Sequence, residues 1–232
     1  MFQIETHCHT AEVSSCGKVP AAELVTQLKR SGFDGVVVTD HFHHIYLNKL
    51  QGSWREKMDQ YLSGYFAVKE AGKEAGIKAF CGLEFRTTEN DNDYLVFGVT
   101  PELLYNTPDL HLYSIPQLRA LADREGLLIV QAHPFRAGLL REDPAMLDGV
   151  EVYNGNARQI SHNNDALRFA QEHGLLLFSG SDHHQTEDRG RRGMVHPREP
   201  NDEADLVRLL PLGGLLPDIL LNTFPPKAEN TL

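Results

Sequence analysis

The chain has 232 residues, 41% of them hydrophobic and 23% charged, with 19 glycines and 12 prolines. That composition is ordinary for a globular protein long enough to form one large domain, and it excludes a disordered or fibrous chain. A formal net charge of −10 argues against a protein that holds nucleic acid through a broad basic surface, so a duplex is not the expected partner.

In chain order, the apolar start Phe2 to Ile4 reads as a strand, and Pro20 to Val25 opens a helix that Gly32 terminates. Val36 to Val38 is a buried strand. Ser53 and Glu56 have capping-box spacing ahead of Met58, Tyr61, Leu62 and Tyr65 at helical intervals. Ile77 to Phe85 and Tyr94 to Val99 read as strands, Ser114 and Gln117 open a helix ending at Gly126, and Leu127 to Val130 is again strand. Gly149 to Tyr153 and Leu175 to Phe178 supply two more, separated by a helix over about 161–173. A last helix, about Asp202 to Leu210, and a Pro-rich tail close the chain.

Strands alternating with helices predict an α/β fold with a mainly parallel sheet, here a distorted seven-stranded TIM-like (β/α)7 barrel. The link from Arg86 to Asn92 is too short for a helical crossover and predicts one antiparallel hairpin. One domain spanning 1–232 is expected. No apolar run approaches the ~18 residues needed to cross a bilayer, and Met1 to Glu5 lacks the features of a secretory leader, so a cytoplasmic location is expected. Cys8, Cys16 and Cys81 lack C-x-x-C spacing, which argues against a disulfide framework or a cysteine-rich zinc site.

The ligand-type residues fall at strand ends. His7 and His9 end the first strand and Asp40 and His41 the second, with Glu84 near the end of the third. His133 follows the fifth strand, Glu151 and Asn154 flank the end of the sixth, and Asp182 and His184 follow the seventh. In parallel α/β folds these ends share one rim, where active sites are built. His7 and His9, two apart on a strand, face the same side. The hairpin returns Asp93 to the same rim. His111, His162, His173 and His196 lie off this set and read as surface or core residues.

This mixture of imidazole and carboxylate suits Zn²⁺, Mn²⁺ or Fe²⁺. Its size predicts two or three divalent ions, with Glu84 as a bridge, and the matching chemistry is phosphoester hydrolysis by a metal-bridged hydroxide without a covalent side-chain intermediate. Arg136 and the basic loop Arg189 to Gly193 are candidate phosphate contacts, and Asn154 a candidate substrate contact. His43, His44 and His183 are candidate proton or phosphate donors.

The strings Thr6-His7-Cys8-His9-Thr10, Val38-Thr39-Asp40-His41, Gly82-Leu83-Glu84, Ala132-His133-Pro134 and Gly180-Ser181-Asp182-His183-His184 resemble, in this order, the PHP (polymerase and histidinol phosphatase) family of metal-dependent phosphoesterases. The resemblance runs from residue 1 to about 195. It implies a seven-stranded barrel with up to three metals at the strand ends, and metal roles for His7, His9, His41, Glu84, His133, Asp182 and His184. Two positions depart from the family pattern: Ser14-Ser15-Cys16-Gly17 stands where a further His or Asp ligand is frequent, and Asp93 where many relatives have histidine. A thiolate at Cys16 would favour zinc.

The expected function is therefore a phosphoesterase acting on a small phosphorylated metabolite or nucleotide. The alternatives are an amidohydrolase, whose barrels also begin with His-x-His, and a non-catalytic metal-binding module. Many binuclear amidohydrolases bridge their ions with a carboxylated lysine, and this chain has no lysine between Lys78 and Lys227.

Overall fold

Phe2–Cys8 forms β1 of the computed structural model, which describes residues 1–188 and 192–216. Helix α1 (Ala21–Arg30) follows, with Glu23 in its first turn and Lys29 and Arg30 in its last, matching the helix dipole, and with Leu24, Val25 and Leu28 buried. β2 (Gly35–Val38), β3 (His41–Phe42) and α2 (His44–Leu47) come next.

The expected capping box opens α3 (Trp54–Tyr61). The single helix anticipated there is interrupted at Leu62, and α4 (Ser63–Ala75) continues it. The interruption coincides with a close approach: the Tyr61 hydroxyl donates to the Asp40 carbonyl at 2.6 Å, and a Cβ on Gly64 would fall 2.2 Å from Thr10 Oγ1. Only glycine lets that turn lie against the loop beneath His9.

The chain continues through β4 (Lys78–Arg86), β5 (Asp93–Phe97), α5 (Pro101–Asn106), α6 (Ile115–Glu125) and β6 (Leu128–Gln131). It ends in β7 (Gly149–Asn154), α7 (Asn163–His173), β8 (Leu176–Gly180), β9 (Met194–His196), α8 (Glu203–Leu209) and β10 (Gly214–Leu215). Among the described residues no helix is long and apolar enough to cross a membrane.

All seven expected strands are present, as β1, β2 and β4 to β8, but the described residues form ten. The additions β3, β9 and β10 are two or three residues long, too short to leave a periodicity signal. The sheet runs β10-β9-β1-β2-β4-β5-β6-β7-β8, with β3 paired to β4. The expectation of a mostly parallel sheet also needs correction. β5 is antiparallel to β4 and to β6, because one reversed strand creates two antiparallel ladders, and β9 is antiparallel to β1 and β10.

The result is a nearly closed mixed barrel. Its closure lies at the functional rim, where Cys8 bridges His183 and the amides of His9 and His183 donate to the carbonyls of His183 and His7 at 3.0 and 3.2 Å. Alternation places Phe178 with Gly180 on one face of β8 and Leu95 and Phe97 with Asp93 on one face of β5. Phe97 and Phe178 stack with ring centroids 5.4 Å apart, an apolar layer beneath the polar rim.

Candidate metal centre

Local backbone irregularity aims the rim residues. β1 and β7 each carry a register shift at their rim ends, between Glu5 and Cys8 and between Glu151 and Tyr153, and such bulges redirect side chains. In β1 the Glu5 Oε1 atom accepts the amides of Thr6, His7 and Ser181 at 2.9, 2.9 and 3.0 Å, pinning the bulge to the end of β8. In β7 the shift lets Asn154 Nδ2 reach Glu151 Oε2 at 2.9 Å. Gly180 makes room for His7, since a Cβ there would fall 2.4 Å from the His7 Cβ. His133 (φ 32°) and Asp182 (φ 51°) both occupy the left-handed region, a strained state that persists where surrounding contacts over-determine it.

Glu84 is the node of the cluster. Its Oε1 lies 3.1 Å from His7 Nε2 and 3.2 Å from His133 Nε2, and its Oε2 lies 3.3 Å from His9 Nε2 and 2.6 Å from His41 Nδ1. Asp182 Oδ1 is 3.5 Å from both His7 Nε2 and His9 Nε2 and 3.2 Å from His184 Nδ1. Four sets of donor atoms come within 4.8 Å of one another: His7, Glu84 and His133; His7, His9 and Asp182; His41, Glu84 and Asp93; and His9, His41 and His184. All eight residues read from the sequence as metal candidates therefore converge.

The electrostatics are those of a cation site. Burial pushes the Glu84 carboxyl up, but the His41 and His7 imidazoles overcome this and hold it well below its usual range. Burial likewise raises Asp182, and His7 together with the nearby His184 and His9 rings brings it well below. Burial depresses His7, yet Glu151, Asp182 and Glu84 raise it well above an ordinary histidine. Buried ring nitrogens and a carboxylate oxygen, His7 Nε2, His9 Nε2, His41 Nδ1 and Glu84 Oε2, make no satisfactory hydrogen bond. Buried polar atoms without partners are rare, and these converge at donor spacing, so the residues fit divalent cations.

Asp93 carries a second duty. Arg86 grips both its oxygens, Nε to Oδ1 and a terminal nitrogen to Oδ2, each at 2.7 Å. Its carboxyl is nonetheless raised, by burial and by Glu84. Arg136 donates to Asp182 Oδ2 at 2.5 Å and to Asn154 Oδ1 at 2.7 Å. Asn154 is committed to the scaffold, since its Nδ2 also serves Glu151 and Asp182.

Arg189 lies outside the described residues. His43 caps α2, its Nδ1 accepting the Tyr46 amide at 3.2 Å, and burial with nearby His41 and Arg86 lowers it to about 4, which leaves a neutral ring. His183 is buried against Gln27, and His111 stacks on Trp54. A cleft of about 530 Å³ opens beside the cluster, lined by Arg86, Asp93, His133, Arg136, Arg158 and His162 among others.

The family model of the PHP domain matches residues 5–199. The chain belongs to the PHP domain family. Solved structures agree in fold. PsfC from Pseudomonas syringae PB-5123 is 20% identical with a TM-score of 0.65, over 90% of this chain and 87% of PsfC. A two-domain protein from Bacteroides vulgatus ATCC 8482 that contains a predicted PHP-like metal-dependent phosphoesterase is 16% identical with a TM-score of 0.59. The match covers 84% of this chain but only 58% of the Bacteroides protein. Endonuclease Q, solved with a 27-mer duplex bearing an abasic lesion, is 12% identical with a TM-score of 0.57, over 89% of this chain and 56% of the nuclease. Among curated proteins none matches.

Within this PHP rim the sequence reading left Glu151 open and passed over Arg86 and Arg158. Arg86 was findable, because it stands two residues after Glu84 on one strand and directly opposite Asp93 in the hairpin register. Arg158 comes from a loop with no periodicity to place it. Glu151 holds His7 and His133 in position: Oε1 meets His7 Nδ1 at 2.9 Å, and Oε2 accepts the His133 amide at 3.0 Å and the Asn154 Nδ2 donor at 2.9 Å. The His7 contact fixes Nδ1 as the protonated nitrogen and turns Nε2 to the cluster. In Glu151→Gln one of these oxygens becomes an NH₂ facing a donor. The expected result is metal affinity lower by about 10- to 100-fold in competition with a chromophoric chelator, and an unchanged affinity would remove Glu151 from this role.

Proposed function

We propose that this protein is a metal-dependent phosphoesterase acting on small phosphorylated metabolites or nucleotides. The observation that carries the reading is the adjacency of a buried imidazole and carboxylate cluster to a cleft whose wall presents Arg86, Arg136 and Arg158. His7, His9, His41, Glu84, Asp93, His133, Asp182 and His184 are assigned to the ions. Once bound, divalent ions of this kind activate water and neutralise charge on a phosphoryl group.

The protein's own contribution is binding and orientation. Arg136, held by Asn154 and by Ser161 Oγ at 3.2 Å, has its guanidinium at the boundary between Asp182 and the cleft, where a phosphate oxygen can accept from it. Asn154 keeps that guanidinium turned towards the cluster. Arg86, tied to Asp93, extends the cationic wall. With no lysine between Lys78 and Lys227, Glu84 would take the bridging place that carboxylated lysine fills in many amidohydrolases.

The test is hydrolysis of an aryl phosphate monoester by chelator-treated protein reloaded with Mn²⁺ or Zn²⁺, beside an amide panel and a duplex with an abasic lesion. Turnover of the monoester alone is expected; turnover of amide or duplex alone would overturn the reading. In Arg136→Ala, loss of a charge-assisted hydrogen bond of about 1.5–3 kcal/mol should raise KM by roughly 10- to 100-fold. An unchanged KM would place phosphate binding elsewhere.

A further inference from the structure

The loop that follows His9 folds back on itself and carries a buried hydroxyl to the rim. The Ser14 amide donates to the Thr10 carbonyl at 3.1 Å and the Ser14 carbonyl accepts the Gly17 amide at 2.9 Å, so the backbone fixes Ser14 from both sides. A Cβ on Gly17 would fall 2.5 Å from the Thr10 carbonyl oxygen, so glycine permits this tight turn. Asp40 anchors the base of the loop: Oδ1 accepts the Thr10 amide at 2.8 Å and Oδ2 the Thr10 hydroxyl at 2.7 Å. Ser14 is only 3% exposed, so its hydroxyl must find partners inside the protein.

Ser14 Oγ meets Asp40 Oδ1 at 2.7 Å, the His41 amide at 3.2 Å and His9 Nδ1 at 3.3 Å. A hydroxyl has one proton to give and two lone pairs. The Asp40 carboxylate only accepts, so it takes the Ser14 proton. The His41 amide only donates, so it occupies one lone pair. Only a lone pair remains for His9, whose ring must therefore bring the proton, on Nδ1. A neutral imidazole protonated on Nδ1 has a bare lone pair on Nε2. His9 Nε2 is buried without a hydrogen-bond partner, 3.3 Å from Glu84 Oε2 and 3.5 Å from Asp182 Oδ1. These oxygens are acceptors as well, an arrangement that a cation resolves.

We propose that Ser14 is a positioning residue that binds no metal itself but sets the tautomer of His9, so that Nε2 meets the ion. The hydroxyl draws on the Asp40 charge to become a better acceptor for the His9 Nδ1 proton, and that makes Nε2 a more basic ligand. Each member of the His7 and His9 pair then has its own acceptor, Glu151 for the first and Ser14 for the second. The proposal rests on the reading of the rim as a metal centre and is independent of the substrate.

The test uses the full chain, stripped by chelator and titrated with Zn²⁺ against a chromophoric competitor. Ser14→Ala should bind zinc about 10- to 100-fold more weakly than wild type. In a His9→Gln background the same change should cost no further affinity, because its effect runs through the His9 ring. A serine that merely packed the loop would lower Tm in both backgrounds and leave zinc affinity alone. Wild type supplies a readout that survives a misfolded variant. With ¹⁵N-labelled histidine and zinc bound, a long-range ¹H–¹⁵N spectrum should show His9 protonated on Nδ1 and metal-shifted at Nε2, its signals assigned by their loss in His9→Gln. Unchanged affinity in Ser14→Ala, a further loss in the His9→Gln background, or a His9 that carries its proton on Nε2 overturns the proposal. A wild type that binds no zinc overturns the metal centre together with it, whereas tight zinc binding indifferent to Ser14 refutes only the role of Ser14. None of these readouts uses turnover, so a protein that cleaves no phosphoester refutes only the phosphoesterase reading.

Discussion

Replacing Glu84 by glutamine is expected to lower phosphoester turnover by about 10³-fold, the largest single-residue effect anticipated. The carboxylate divides its two oxygens between two imidazole pairs, His7 with His133 and His9 with His41, at 2.6–3.3 Å. Its two oxygens together reach four imidazoles, across both halves of the cluster. A glutamine keeps the shape but offers one acceptor oxygen and no charge, so one pair of imidazoles faces an NH₂ group. Losing electrostatic stabilisation of several kcal/mol, taken as about 4, corresponds to about three powers of ten in rate. Steady-state kinetics after reconstitution, with metal content measured on the same sample, checks this. Near-normal turnover at full metal occupancy would show that Glu84 does not link the two halves. A conservative control such as Glu70→Gln, at an exposed carboxylate of α4 that pairs only with Lys73 among the described salt bridges, should leave the rate unchanged.

What made the rim legible in the sequence was a coincidence of two periodicities. Strand ends are marked where an apolar run stops, and at the rim end of each major strand the run stops beside a histidine or carboxylate. His7, Glu84 and Asp182 followed from that rule, and Asp93 from the short hairpin that reverses β5. The rule fails where placement depends on a bulge. Asn154 lies three residues after Glu151, which in a regular strand would put the two on opposite faces, and only the register shift brings them within 2.9 Å. It fails again for Arg158, which reaches the cleft from a loop whose course is set by tertiary contacts such as Arg158 to Asp188 at 2.8 Å. The strands β3, β9 and β10 escaped notice because two or three residues carry no pattern, although β9 occupies the edge of β1 that a seven-stranded barrel would leave for β8.

Removing the metals is expected to cost more stability than any single substitution. His7, His9, Glu84 and Asp182 are each no more than 1% exposed, so the cluster cannot relax into water. Without cations it is held together by protons: His7 is raised well above its usual value and His184 to about 10, while Glu84 and Asp182 remain ionised. Such buried ion pairs recover little of the desolvation they cost. A cation present at about 1,000 times its dissociation constant adds about 4 kcal/mol per site. For a domain of this size, each kcal/mol shifts Tm by about 2–4 °C. Thermal unfolding in excess Zn²⁺ or Mn²⁺ should therefore occur about 8–16 °C above that in chelator for each site filled. The gap should also depend on pH. Ligands bind metal only after giving up their protons, so protons compete as pH falls through the raised values of His7 and His184, and the gap narrows in acid and widens towards neutral and alkaline pH. A Tm indifferent to chelator throughout would mean that the rim folds equally well as a proton-bridged network, and the cation site inferred from its unpartnered atoms would be wrong.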